Sequence, residues 1–205
     1  MKHHKFNILV IGDTGTGKTA LVKRYIYGKF SQDSSSTIGI EYESKTVLKH
    51  PKCNADLRLA LWDAAGQRVF RNLIKGYFNN GDAVVLVVDL CNRRSFESLG
   101  EWLSETNALM LQMVPYVVIG NKLDKAKGDD REVSREELMK FVGEHQNMEY
   151  IEASALNGKN VRKAFEELIV RIVKNSGVSE DVKKLEVELK SGSAKKGWRR
   201  FFCCL

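Results

Sequence analysis

The 205-residue chain has 33 Lys and Arg against 26 Asp and Glu, a formal net charge of +7, and is 43% hydrophobic. That suits one domain of ordinary size with a sizeable core and an extension. No apolar run approaches the roughly 20 residues of a membrane span, and Met1-Lys2-His3-His4-Lys5 opens neither a signal peptide nor a Met-Gly myristoylation site, so secretion is not expected. The charge is localised: Lys190, Lys195, Lys196, Arg199 and Arg200 lie in the stretch from Lys190 to Leu205, which has no acids, and this leaves the rest of the chain at only +2. Such a balance argues against a nucleic-acid binder, and the basic end suits an acidic membrane surface. Cys53 and Cys91 are isolated and read as reduced cytosolic thiols, whereas Cys203 and Cys204 adjoin the terminus.

In chain order, the first predicted strand is Phe6-Asn7-Ile8-Leu9-Val10-Ile11. It runs into Gly12, Asp13, Thr14, Gly15, Thr16, Gly17, Lys18 and Thr19, then into the helically spaced Leu21, Val22, Tyr25 and Ile26. Strand, glycine-rich turn and helix are the setting of a phosphate-binding loop. Ile40 to Lys49 and Leu57 to Trp62 are joined by a connection too short for a crossover helix, so an antiparallel hairpin at the sheet edge is expected. Ala83 to Val88, Tyr116 to Ile119 and the weaker Met148 to Ile151 read as further buried strands. Phe96, Leu99, Leu103, Thr106, Met110 and Met113 fall on one helical face despite Gly100. Ser134-Arg135-Glu136-Glu137 is a capping box opening a helix with Leu138, Phe141 and Val142. Val161, Phe165, Leu168, Ile169, Ile172 and Val173 form the last stripe, closed by Ser176-Gly177. These aromatics and methionines are read as core.

The alternation predicts an α/β fold: a mostly parallel six-stranded sheet with one antiparallel edge strand and helices on both faces, over residues 1–176. Residues 177–205 read as a flexible tail, charged from Val178 to Lys190 and then Ser-Gly-rich without core residues.

Ligands of such sheets bind beyond the carboxyl ends of the strands, and the chemical motifs fall there. In the first loop, backbone amides and the helix dipole would cradle phosphates, Lys18 would reach the β- and γ-phosphates, and Thr19 would ligate Mg²⁺. Asp63-Ala64-Ala65-Gly66-Gln67 follows a strand. Asp63 could hold the magnesium, often through water, and Gly66 offers an unobstructed backbone N–H. Alone, this pattern would be a plain turn. Asn121-Lys122-Leu123-Asp124 and Ser154-Ala155 follow two more strands. The Asp124 carboxylate can accept from both N1–H and the 2-amino group of guanine, a donor pair that adenine lacks. The Ala155 N–H would meet guanine O6.

With these motifs in order, Lys5 to Lys174 resembles the small Ras-like GTPases, and within them the Rab branch. The Rab-like signals are Thr37-Ile38-Gly39-Ile40-Glu41-Tyr42, Trp62-Asp63-Ala64-Ala65-Gly66-Gln67 and Asn92-Arg93-Arg94-Ser95-Phe96. The resemblance implies a P-loop small G domain that binds GTP and GDP with Mg²⁺ and hydrolyses GTP slowly unaided, at about 10⁻⁴ to 10⁻³ s⁻¹ as in Ras. It implies that Thr37 ligates magnesium and donates its N–H to the γ-phosphate, that Phe30 stacks edge-on on guanine, and that Gln67 positions the attacking water. Ile38, Tyr42, Trp62 and Tyr77 match the surface shown to effectors. An exchange factor, a GTPase-activating protein, effectors, and escort and dissociation-inhibitor proteins are the implied partners of a monomer that cycles between cytosol and the cytoplasmic face of an endomembrane.

Four departures stand out: Arg68 follows Gln67 where Rab proteins usually carry Glu, Thr14 is bulkier than the family's Gly or Ser, Tyr77-Phe78-Asn79-Asn80-Gly81 matches loosely, and the His50–Asp56 loop is long. The end, Phe201-Phe202-Cys203-Cys204-Leu205, fails the C-a-a-X pattern, since Phe202 stands fourth from the end. Cys203 and Cys204 resemble a variant of the Rab doublet that takes two geranylgeranyl chains, enough for stable anchoring where one is marginal. An unmodified disordered tail is the alternative. Against the switch stand three rivals: a GTP-locked effector-binding module, an ATP-using P-loop kinase, and the nucleic-acid binder that the charge count disfavours.

Overall fold

The computed structural model describes residues 3–31, 37–50, 55–66, 81–110 and 112–178. Strands β1 (His3–Ile11), β2 (Ile40–His50), β3 (Ala55–Ala64), β4 (Ala83–Asp89), β5 (Tyr116–Asn121) and β6 (Met148–Glu152) form one sheet, in the order β2-β3-β1-β4-β5-β6. Helices α1 (Lys18–Tyr27), α2 (Arg93–Glu97), α3 (Leu99–Leu109), α4 (Arg135–Gly143) and α5 (Val161–Asn175) alternate with the later strands. Every pairing is parallel except β2 with β3, where the short connection forces an antiparallel hairpin with Tyr42 opposite Trp62.

Period-two alternation divides the core between the two faces. Phe6, Ile8 and Val10 of β1 bury against α1 and α5, while Leu9 and Ile11 face the layer that holds Trp102 and Leu138. β4 divides the same way, Val85 and Val87 against Val84, Leu86 and Val88. The continuous apolar reading of these strands follows from burial on both faces. In the first layer Tyr25 stacks on Phe165 with centroids 4.0 Å apart, and a fully buried ring such as Phe165 contributes about 1.5–3 kcal/mol.

The strands run longer than their apolar runs predict. His4 and Lys5 pair with Leu57 and Arg58 although their side chains are polar, because ladder bonds belong to the backbone. The stripe from Phe96 to Met113 is not one helix face: α2 ends at Ser98, α3 ends at Met110 in an extended conformation, and Met113 beyond it is 75% exposed. Trp102, absent from that stripe, is the buried anchor at 2% exposure. The capping box at Ser134 and the last stripe form as expected, and all six residues of that stripe are buried. Val178, past the expected stop, is still packed in the core. No described helix is long and apolar enough to cross a membrane.

Candidate functional site

β1, β3, β5 and β6 deliver their carboxyl ends to one edge of the sheet. The chain enters α1 through Gly17, at φ 89°, with no side-chain cap and no acid in the first turn. The leading amides of α1 therefore stand open to an anion. A Cβ on Gly17 would lie 2.4 Å from Asn121 Nδ2, so only glycine lets the loop pass that side chain. Lys18 Nζ folds back to donate to Gly12 O at 2.8 Å and Asp13 O at 2.9 Å. The Thr16 hydroxyl also donates to Asp13 O, at 2.9 Å. Thr14 and Gly15 are exposed.

Beside Lys18, Thr19 Oγ1 donates to Asp63 Oδ2 at 2.5 Å and lies 2.9 Å from Thr37 Oγ1. Asp63 Oδ1 is buried without a hydrogen-bond partner, alone in this among the described side-chain atoms. Burial works against charge at both ends of this pair. It pushes Lys18 down to about 8 and Asp63 up to about 6, although their mutual attraction opposes each shift. Two hydroxyls and a carboxylate with an orphaned oxygen form a hard donor set that fits Mg²⁺. A cation there would relieve Asp63 as a polyphosphate would relieve Lys18. Ala65 N donates to Gly39 O at 2.8 Å, which ties the segment after Thr37 to the end of β3.

A cleft of about 300 Å³ beside the loop is lined by Ala20, Phe30, Asn121, Lys122, Asp124 and Ala155. Asn121 is buried and joins its parts: Nδ2 donates to Thr16 O at 2.8 Å, and Oδ1 accepts from Ala155 N at 3.1 Å. The Ala155 N–H, expected to be kept for a base oxygen, therefore already has an acceptor that a base would have to share. Ser154 Oγ donates to Asp124 Oδ1 at 2.5 Å and so fixes the carboxylate at the cleft.

Sequence reasoning missed several supports of this site. Lys122, at φ 64°, donates from Nζ to Asp89 Oδ2 at 2.6 Å. The Asp13 carboxylate accepts from Ser98 Oγ at 2.7 Å and Trp102 Nε1 at 2.8 Å, which fastens the phosphate loop to α3. Arg24 holds carbonyls on both sides of the cleft. The Ser98–Trp102 spacing of four, one turn of helix, is the one local signal that could have found part of this, and it was not used.

Ile38, just before the hairpin, is 81% exposed and Tyr42 on it 44%, and Tyr42 packs edge-on to Trp62 at 4.9 Å. That is an apolar surface beside the Thr37 segment. Gln67, Arg68, Tyr77, Cys203, Cys204 and loop residues 51–54 lie outside the described residues.

A glycine-rich turn between β1 and α1, an open helix N-terminus and Lys18 folded over the turn, on the edge of a mostly parallel sheet, are the arrangement of the P-loop class of nucleotide-binding proteins. The Ras family matches residues 7–174. The chain is 36% identical over 179 residues to the Ras-related protein Rab-18 of Lymnaea stagnalis, covering 86% of this chain and 85% of that one. It is 40% identical over 161 residues to the Ras-related protein Rab-1 of Theileria parva, with 78% and 70% covered. It is 38% identical over 169 residues to the Ras-related protein Rab-30 of Homo sapiens, with 82% and 80% covered. The chain belongs to the Ras family, and within it to the Rab branch. It is a Rab-like small GTPase, a GTP hydrolase of membrane trafficking, and the GTP-locked module is not favoured.

Proposed function

We propose that this site binds GTP and GDP with Mg²⁺ and that its described residues divide the work as follows. The loop amides and Lys18 grip the phosphates. Thr19, Thr37 and Asp63 hold the cation, which neutralises phosphate charge. Asp124, fixed by Ser154, accepts the N1–H and 2-amino protons of guanine, and Phe30 covers the base. Gln67 orients the attacking water, so that catalysis is positioning plus electrostatics. Loss of the γ-phosphate then frees the segments around Thr37 and Gly66, which is the signal that effectors read at Ile38, Tyr42, Trp62 and Tyr77. Exchange factors, GTPase-activating proteins, and escort and dissociation-inhibitor proteins act on this cycle. Residues 177–205 carry lipid on Cys203 and Cys204 and hold the protein on the cytoplasmic face of an endomembrane.

The single observation that carries this reading is Asn121, whose amide binds both Thr16 of the phosphate loop and Ala155 of the base cleft. That link supports reading the two halves as one nucleotide site. Asp124→Asn is expected to turn the preference from guanine toward xanthine nucleotides, measured by competition for bound GDP. Unchanged preference would move the base elsewhere and revive the ATP-using reading.

A further inference from the structure

The base cleft has two walls, the turn after α1 that carries Phe30 and the loop Ser154–Leu156 after β6, and nothing in the sequence joins them. One side chain does. Arg24 Nη1 donates to Gly28 O at 2.7 Å, and Gly28 N donates in turn to Arg24 O at 3.0 Å, so both polar groups of Gly28 are fastened to one residue. On the other side Arg24 Nε donates to Ala155 O at 2.7 Å, and Nη2 donates to Leu156 O. The guanidinium carbon lies 6.0 Å from the Phe30 ring centroid. Its stem passes Gly158, where an added Cβ would come within 3.6 Å of Arg24 Cδ. A rigid planar fork with donors in fixed directions can serve acceptors on two segments at once, and a lysine ammonium on a flexible stem cannot hold the same geometry.

We propose that Arg24 is a positioning residue that clamps the two walls of the base cleft together and so sets how long a guanine nucleotide stays bound. It is not among the residues that line the cleft. It fixes where α1 stops, and hence where Phe30 sits two residues beyond Gly28. It also fixes the Ala155–Leu156 peptide, next to the Ala155 N–H that faces Asn121 and the base. The inference rests on the assignment of this cleft to guanine.

The test is the rate of GDP release from the full chain with Mg²⁺ present, followed with a fluorescent GDP, for Arg24→Met, Arg24→Lys, Phe30→Leu and the Arg24→Met/Phe30→Leu pair. Arg24→Met is expected to release GDP on the order of tenfold faster, since charged hydrogen bonds to both walls are lost. Arg24→Lys should recover only part of the difference. Because Arg24 acts through Phe30, the pair should release GDP more slowly than the product of the single effects requires. Native release from either Arg24 variant, or single effects that simply multiply, overturns the proposal. If Arg24→Met does not fold, Arg24→Lys decides alone. Asp124→Asn, run in the native background, separates the two readings: a shift to xanthine with native release from Arg24→Lys discards the clamp and keeps the cleft, whereas no shift discards the cleft itself.

Discussion

Gly66 stands where the end of the β3 segment meets the phosphate loop. A Cβ there would lie 2.4 Å from Thr14 N and 2.5 Å from Asp13 C, both backbone atoms that cannot swing aside. Gly66→Ala is therefore expected to push the segment off the loop, and with it the start of the stretch that leads to Gln67, the residue proposed to position the attacking water. A displacement of about 1 Å costs roughly 100-fold in a positioned reaction, so single-turnover phosphate release should fall by about that factor. A native rate would show that the contact is dispensable. Residues of this kind are half legible in a sequence. Gly66, Lys18 and Asp124 belong to spaced motifs whose chemistry can be argued from residue type. Arg24 reaches Ala155 and Leu156, and Asp89 reaches Lys122, far along the chain, and no local pattern announces such partners.

Among the elements, α4 shows how a local signal and a distant one combine. Ser134 Oγ accepts from Glu137 N at 3.2 Å and Glu137 Oε2 accepts from Ser134 N at 3.0 Å, a complete capping box. Arg93, at the start of α2, bonds Glu137 Oε1 at 2.5 Å. That arginine first, and the cap second, hold the Glu137 carboxyl down from its ordinary 4.5 to about 2. A depressed carboxylate stabilises the fold fully above its unfolded value, and the contribution fades as pH falls through its folded one. The effect should therefore be intact above pH 4.5 and vanish toward pH 2, and Glu137→Gln should flatten the stability profile across that window. Ser134→Ala should cost about 1 kcal/mol in denaturant unfolding; no loss would mean the cap is redundant. The box was plain in the sequence because it spans four residues. The break at Ser98 was not, since Phe96 and Leu99 keep helical spacing across two separate helices. The misplaced Met113 follows from the same cause, a period counted past the point where the backbone turns extended.

On the scale of the whole molecule, the mostly parallel six-stranded sheet, its antiparallel edge hairpin and the gathering of motifs at one edge were readable, because alternation of strand and helix permits few arrangements; the order of the strands came only from the structure. The tail is argued from its chemistry alone, since residues 179–205 lie outside the described residues. Two lipid chains and a run of cations give stable anchoring, whereas cations alone contribute about 1 kcal/mol each near an anionic surface. A Cys203→Ser/Cys204→Ser protein should thus move from the membrane to the soluble fraction in cells and take up no labelled isoprenoid. Retention on membranes would assign anchoring to another part of the chain. One buried amide has a wider bearing. Since Asn121 grips Thr16 and Ala155 together, the proposed site would couple the two ends of its nucleotide reciprocally: prising up the purine would slacken the polyphosphate seat, and disturbing that seat would unsettle the purine. On that assignment a regulator could start from either end and still loosen the whole molecule.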